Sequence, residues 1–168
     1  MKYIVIISIL FFSCNNFSEN KITFKKITEI DYTFDSGWKE VYSIKINADG
    51  KCVVGDGRST MKYYISQLSN FNIRSLDRLI ESIPFKQYDS SYYEDVVDQA
   101  SYKFVLTNTN KDTLIKFVYG RTAPKLLNDL SHQLNLIKEE LKLIQKDTLI
   151  DFSSRKNFFP PTIKAPQL

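Results

Sequence analysis

The largest group of side chains with acid–base chemistry lies between residues 85 and 99, a stretch without helical or strand periodicity. It carries four carboxylates, Asp89, Glu94, Asp95 and Asp98, against one lysine. Paired carboxylates serve as the acid and base of glycoside hydrolases. A single local acidic cluster, with no second group of catalytic residues, is more typical of a loop that faces solvent or a partner. The stretch therefore predicts a binding surface, with a hydrolase as the alternative.

Three tyrosines in the same stretch favour the binding interpretation. Tyrosine is enriched in protein contact surfaces because it offers a large ring and a polar hydroxyl. About fifteen residues without periodicity also exceed the common loop length, and such loops are usually functional or disordered. We therefore expect a partner surface made of these tyrosines and acids: Tyr88, Asp89, Tyr92, Tyr93, Glu94, Asp95 and Asp98.

A weaker candidate is an anion site at Arg121 and Thr122. These residues precede an apolar-periodic segment that begins near Pro124. The first N–H groups of a helix attract anions. Simple capping by Thr122, with Pro124 in the first turn, explains the same residues.

The other chemical motifs are incomplete. Lys45 to Asp56 follows part of the EF-hand spacing, but a cation stands at the first ligand position and the flanks have strand patterns. Ser36 and Lys39 match Ser-x-x-Lys without the companion motifs of acyl-transfer enzymes. The only histidine, His132, lies off the apolar stripe of its predicted helix. We expect no metal and no cofactor.

The N-terminus predicts a bacterial lipoprotein signal. Lys2 is followed by a run of about ten almost wholly apolar residues and then Ser13-Cys14, which is the order of a cleavable signal peptide. The run is too short to span a bilayer as a helix. Phe11 stands where the usual lipobox has leucine. We expect removal of residues 1–13 and lipidation of Cys14.

Lipidation would place the protein in the cell envelope, membrane-anchored and periplasm-facing, with the cell surface as the alternative. Residues 14–21 are polar and predict a tether. The net charge of +4 falls by one with Lys2, and the basic residues are scattered. No nucleic-acid partner is expected. Cys52 would be the only free thiol, in an apolar strand where a buried, inert cysteine is typical.

Alternating residues predict strands in both halves of the chain. The first half has alternation around Ile30 to Phe34, then around Tyr42 to Ile46, then a turn at Asp49-Gly50 typical of a hairpin. A shorter run follows the turn, and Met61 to Leu68 can form a further strand. Tyr102 to Leu106 and Ile115 to Tyr119 predict a second hairpin. We expect Trp38, between the first two strands, to have a partly buried ring.

Two segments have helical spacing. Leu76 to Ile83 has apolar residues at i, i+3, i+4 and i+7 and stops at Pro84. A longer stripe runs from Leu127 to Ile144 in steps of three and four. The resulting prediction is a single α+β domain over residues 22–144, in the order β-β-β-α-β-β-α. It has an antiparallel sheet of about five strands and two helices packed on one face. Residues 145–168 have no period and predict an extended or mobile tail.

The stretch from about Ile27 to Ile144 resembles a domain-of-unknown-function family of small lipoproteins from Bacteroidota-type bacteria. The shared features are short motifs spread over this stretch: Tyr42-x-Ile44-x-Ile46, Asp49-Gly50, the first amphipathic helix, Tyr88 followed by Asp98, and Ala123-Pro124-x-Leu126. Many members carry a Cys-Pro pair before the tyrosine strand, where this chain has Ser36 to Glu40. The resemblance implies a fold and a compartment and no particular chemistry.

Together these features predict a lipid-anchored cell-envelope protein that acts as a non-enzymatic binding module. Its partners would be the membrane, through the N-terminal lipid, and an envelope protein or ligand that the sequence does not name. An envelope hydrolase with a carboxylate pair in residues 85–99 is one alternative. An inhibitor or immunity-type protein that blocks another protein is the other.

Overall fold

Eight strands form one sheet in the computed structural model, which describes residues 27–158. The order across the sheet is β5-β7-β6-β1-β2-β3-β4-β8. The strands are β1 (Ile27–Asp35), β2 (Val41–Asn47), β3 (Lys51–Asp56), β4 (Lys62–Gln67), β5 (Ser91–Tyr93), β6 (Ser101–Asn108), β7 (Thr113–Tyr119) and β8 (Ile144–Gln145). The predicted signal peptide (residues 1–13), lipidated cysteine and tether (14–21) lie outside the described residues.

The α+β class and the two helices agree with the sequence prediction, but the sheet is larger and mixed. About five antiparallel strands were expected, whereas the described sheet has eight, and β5 pairs with β7 in parallel. β5 and β8 add the edges, with three and two residues. Segments this short contain too few residues to show a period of two, so the sequence pattern cannot indicate them.

Helices α1 (Asn70–Ser82) and α2 (Lys125–Glu140) cover one face of the sheet. The Ser69 side chain caps α1 by accepting a hydrogen bond from the Asn72 amide at 3.1 Å. Pro124, and not Thr122, occupies the N-cap of α2, without a side-chain hydrogen bond. The predicted capping by Thr122 is therefore wrong. α2 also ends before Ile144, because Leu141 has extended backbone and the chain turns toward β8.

The helix-facing side of the sheet is apolar and rich in tyrosine. The leucine stripe of α2 packs against it, together with apolar residues of α1. Three buried tyrosine hydroxyls bond polar residues of α2: Tyr32 with Ser131 and Asn135, Tyr42 with Asn135, and Tyr102 with Asn128. Burial raises the pKa of all three tyrosines, so they are neutral hydrogen-bond donors. These bonds set the position of α2 along the sheet.

The opposite face is polar, and the segment after β8 covers its centre. Asp31, Thr33 and Ser43 are buried on this face although none of them is apolar. The Ser154 hydroxyl lies 2.6 Å from that of Thr33, which lies 2.7 Å from that of Ser43. Phe152 is also buried and packs against Gly55, where a Cβ would lie 2.7 Å from the Phe152 ring.

This segment belongs to the predicted tail, residues 145–168. Up to residue 158 it is described as part of the fold, with a 3₁₀ turn at Ser153–Arg155. Lys103 donates to the Lys156 carbonyl at 2.7 Å, and Arg155 donates to the Gly57 carbonyl at 2.8 Å. The fold therefore continues beyond the boundary expected at residue 144. The rest of the predicted tail lies outside the described residues.

Candidate interaction surface

Three chain connections leave the sheet at the same end. The register aligns Tyr93 of β5 with Tyr119 of β7, Tyr119 with Ser101 of β6, and Ser101 with Asp35 of β1. The three connections that begin or end at this row of aligned residues are residues 36–40, 94–100 and 120–124. Residues far apart in sequence are thereby brought to one end of the molecule.

The turn between β1 and β2 is held rigidly and exposes a tryptophan. The Asp35 carboxylate accepts bonds from the Gly37 amide at 2.7 Å and from Arg58 at 2.8 Å. The Ser36 hydroxyl accepts from the amides of Lys39 and Glu40. Trp38 is 72% exposed, so the expectation of a partly buried ring is wrong. The turn joins β1 and β2 at the end of the sheet and leaves the indole in solvent.

Residues 85–99 are partly ordered by the sheet. Ser91–Tyr93 form β5, and the Tyr92 ring lies on the helix-facing side against the core. The Tyr92 hydroxyl accepts a hydrogen bond from the Asp89 amide at 2.9 Å. Tyr88 is also partly buried against the core, whereas Tyr93 points to the other face and is half exposed. Of the three predicted surface tyrosines, Tyr93 offers the most ring to a partner.

Two side chains of β7, Lys116 and Tyr119, hydrogen-bond to the backbone of residues 85–99. The Lys116 ammonium donates to the carbonyl of Tyr88 and, at 2.9 Å, to that of Asp89. Burial lowers the pKa of Lys116, since the charge is removed from water. The Tyr119 hydroxyl donates to the Val96 carbonyl at 2.8 Å. The backbone on either side of β5 is thus positioned by the fold.

The predicted anion site at Arg121 and Thr122 contains a carboxylate of the chain itself. The Glu94 side chain accepts a hydrogen bond from the Arg121 amide at 2.8 Å. Gly120 (φ 89°) makes room for it, because a Cβ there would lie 2.4 Å from a Glu94 oxygen. Thr122 is exposed. Glu94 therefore joins residues 94–100 to the start of the connection after β7. The Arg121 amide is already bonded and is not available to a small anion.

Asp95, Asp98 and two valines form the exposed part of this end. Asp98 has left-handed backbone with φ of 61°, and Asp89, also exposed, precedes β5 at the strand's other end. Val97 is 61% exposed, and Val96 is also exposed.

The turn and the valine segment are neighbours. A Cβ on Gly37 would lie 3.2 Å from the Gln99 carbonyl oxygen and 3.4 Å from that of Asp98. Gly37 precedes Trp38, and Asp98 follows Val97, so the indole and the valine belong to one region. We call it the sheet-end surface, and its exposed residues are Trp38, Tyr93, Asp95, Val96, Val97 and Asp98.

Sequence reasoning found the acids and Tyr93 and missed Trp38, Val96 and Val97. One signal was available for Trp38. The sequence places it in a short connection between two strands, right after a glycine. A large ring in such a turn is far from the core that the strands build.

Two cavities among residues 27–158 have linings that do not include any of the four acids. One is a groove of about 590 Å³ between β4, the start of α1 and the end of α2, lined by residues that include Gln67, Asn72 and Leu141. The other is a small cavity of about 30 Å³ between the middle of α1, the start of β1 and the end of β2. Neither of these two cavities therefore brings the acids of residues 85–99 together across a cleft, as carboxylate catalysis requires.

The other sequence candidates are placed as follows. Within residues 27–158, no three His, Cys, Asp or Glu side chains are grouped so as to hold a metal ion. In the same range, no helix is both long enough and apolar enough to cross a bilayer.

Cys52 is buried, and burial raises its thiol pKa to about 11, so the thiol is protonated and unreactive at neutral pH. His132 is exposed.

No protein-family model and no curated protein matches the chain. The resemblance to small Bacteroidota-type lipoproteins stays a prediction that rests on the motifs quoted above.

Proposed function

We propose that this protein is a lipid-anchored cell-envelope protein that acts by binding another envelope protein through the sheet-end surface. The exposure of Trp38 on a rigid turn, beside the exposed Val97, is the observation that carries the proposal. Tryptophan dominates the binding energy of many interfaces when a partner buries it.

The rigidity of this surface supports binding. The backbone on either side of Trp38 is held by the hydrogen bonds of Asp35 and Ser36, and the Val96 backbone is held by Tyr119. An ordered surface has already lost most of its conformational entropy, so a partner loses less free energy in docking to it. Apolar groups that are held in water rather than folded inward typically mark interaction sites.

The position of the surface fits a protein tethered by its N-terminus. The chain enters the sheet at Ile27, and β1 runs for nine residues before the Trp38 turn. At about 3.3 Å per residue, the sheet-end surface lies roughly 30 Å from the point of entry. A chain anchored through Cys14 is joined to the sheet at the Ile27 end, so this attachment point does not cover the sheet-end surface.

The arrangement of the acids favours binding over hydrolysis. Glu94 is already bonded to the Arg121 amide, and Asp95 and Asp98 are exposed. A glycosidase-type pair needs two carboxyl groups that face each other across a substrate cleft. The acids instead border Trp38 and Val97, where they favour partners with positive charge.

Membrane association is expected to depend on Cys14. Replacing it with alanine should release the protein from the membrane, because the apolar run before it is too short to anchor the chain. The measurement is membrane fractionation with labelled palmitate, with Cys52→Ala as the control that keeps the anchor. Full membrane retention of Cys14→Ala, together with no label in the wild type, would contradict the lipoprotein proposal.

Loss of the sheet-end surface is expected to abolish partner capture. The double variant Trp38→Ser with Val97→Ser should recover at least tenfold less of the cross-linked envelope partner than the wild type. Both side chains are exposed, so the free energy of unfolding should change by less than about 0.5 kcal/mol each. The matched control is Phe71→Ser, which removes an equally exposed aromatic ring from α1.

The readout is quantitative mass spectrometry after cross-linking in intact cells, with urea unfolding of each variant. A partner recovered equally with the double variant and with Phe71→Ser would refute the proposed surface. So would the absence of any specific cross-linked protein from the wild type.

A further inference from the structure

We propose that the partner adds a β-strand to the edge of β5 that no other described strand occupies, through an extended segment rich in lysine or arginine. This inference rests on the proposed function and names the chemistry of its partner. It follows from the position of β5, the direction of its backbone groups and the charge around it.

β5 is the last strand on its side of the described sheet. The Ser90 carbonyl accepts from the Phe117 amide at 2.9 Å, and the Glu94 amide donates to the Tyr119 carbonyl at 3.0 Å. In a strand, alternate residues direct their N–H and C=O groups to opposite sides. Residues 90, 92 and 94 therefore face β7. Ser91 and Tyr93 direct theirs away from it, toward a place where another strand would lie.

The two edges of the sheet are protected differently. Edge strands commonly carry lysine or proline, which discourage pairing with another chain. The two-residue strand β8 follows this rule, since Lys142 and Lys146 stand on either side of it. β5 has the sequence Ser-Tyr-Tyr, without lysine or proline. Its backbone is positioned by Lys116 and by Glu94, so the strand is already extended.

The charge around β5 selects the occupant. Asp89 precedes the strand, and Asp95 and Asp98 follow it, all exposed. A second copy of the chain paired along the same edge would bring these carboxylates together, which is unfavourable. A segment with lysine or arginine would instead place opposite charges beside them. The edge therefore favours a basic segment of a different protein.

The test uses the full-length protein purified in detergent and an eight-residue peptide of alternating lysine and valine. Fluorescence anisotropy of the dye-labelled peptide should show saturable binding at low salt and weaker binding as salt is added. Two comparison peptides separate the contribution of charge from that of backbone hydrogen bonds. One has glutamate in place of lysine and should bind at least tenfold more weakly. The other keeps lysine but is N-methylated at every residue, so it donates no backbone hydrogen bond. It should also bind at least tenfold more weakly.

A matched pair of variants tests the edge itself. Tyr93→Pro removes the outward N–H of β5 and no bond to β7, which is the position where strands tolerate proline. Tyr93→Ala removes the same ring and keeps the N–H. We expect Tyr93→Pro to bind the lysine peptide at least tenfold more weakly than Tyr93→Ala, with similar urea midpoints for the two.

Strand addition would be wrong if the two Tyr93 variants bound the lysine peptide equally well. It would also be wrong if the N-methylated peptide bound as tightly as the unmethylated one, or if the lysine peptide did not bind at all. A dimer of the free protein that Tyr93→Pro dissociates would assign the edge to a second copy and also reject the proposal. If Tyr93→Pro retains cross-linking to the envelope partner while Trp38→Ser with Val97→Ser loses it, strand addition fails and the proposed function stands.

Discussion

Replacing Leu134 with alanine is expected to lower the free energy of unfolding by about 2–5 kcal/mol, the usual cost of truncating a buried leucine. Leu134 lies in the middle of α2 and is completely buried. It belongs to the stripe that also contains Leu130 and Ile137, which packs against the aromatic face of the sheet. The polar bonds between α2 and the tyrosines hold the helix in place. They limit how far it can move to fill the cavity.

The control for this experiment is Leu136→Ala on the same helix. Leu136 is 41% exposed, so the same chemical change should cost less than about 1 kcal/mol. Urea unfolding followed by circular dichroism measures both variants. Equal destabilisation by the two substitutions would mean that the leucine stripe does not supply the core, and the packing described for α2 would be wrong.

Periodicity was informative where elements are long and one side is apolar. The stripe from Leu127 to Ile137 predicts α2, and the alternation around Tyr42 to Ile46 predicts β2. The Asp49-Gly50 turn is confirmed as a hairpin, since β2 pairs with β3 and Gly50 has φ of 75°. In each case the local pattern and the tertiary packing demand the same structure.

The missed elements depend on contacts between residues far apart in sequence. β5 is a strand because β7 lies beside it, and three residues alone do not specify that pairing. Ser154 is buried because its hydroxyl bonds to Asp31 of β1, and Phe152 is buried over Gly55 of β3, both far earlier in the chain. No period marks such a segment, so it was expected to be extended or mobile.

The candidate surface was predicted only in part for the same reason. The acids of residues 85–99 are adjacent in sequence, so their clustering is visible without a structure. Trp38 joins them only through the register of β1, β6, β7 and β5. Tyr88 and Tyr92 pack against the core, whereas Tyr93 does not. Residue type alone does not indicate which of the three tyrosines is exposed.

Replacing Asp31 with alanine is expected to cost about 3–5 kcal/mol, as for the loss of one partner from a buried charged network. Asp31 is 1% exposed on the polar face of β1. Its carboxylate accepts hydrogen bonds from the Ser153 amide at 2.7 Å and from the Ser154 hydroxyl, and it lies 3.4 Å from the Lys45 ammonium. Alanine leaves the amide without a partner and the ammonium without its nearest carboxylate.

The control for Asp31→Ala is Asp151→Ala, which removes a carboxylate from the same region. Asp151 pairs with Lys156 in an ion pair exposed on both sides, and such pairs contribute less than about 1 kcal/mol. Its backbone carbonyl, which accepts from Lys45, is retained. Hydrogen exchange should therefore increase over residues 151–158 in Asp31→Ala and stay unchanged in Asp151→Ala. Equal urea midpoints for the two variants would show that the Asp31 carboxylate does not hold this segment to the sheet.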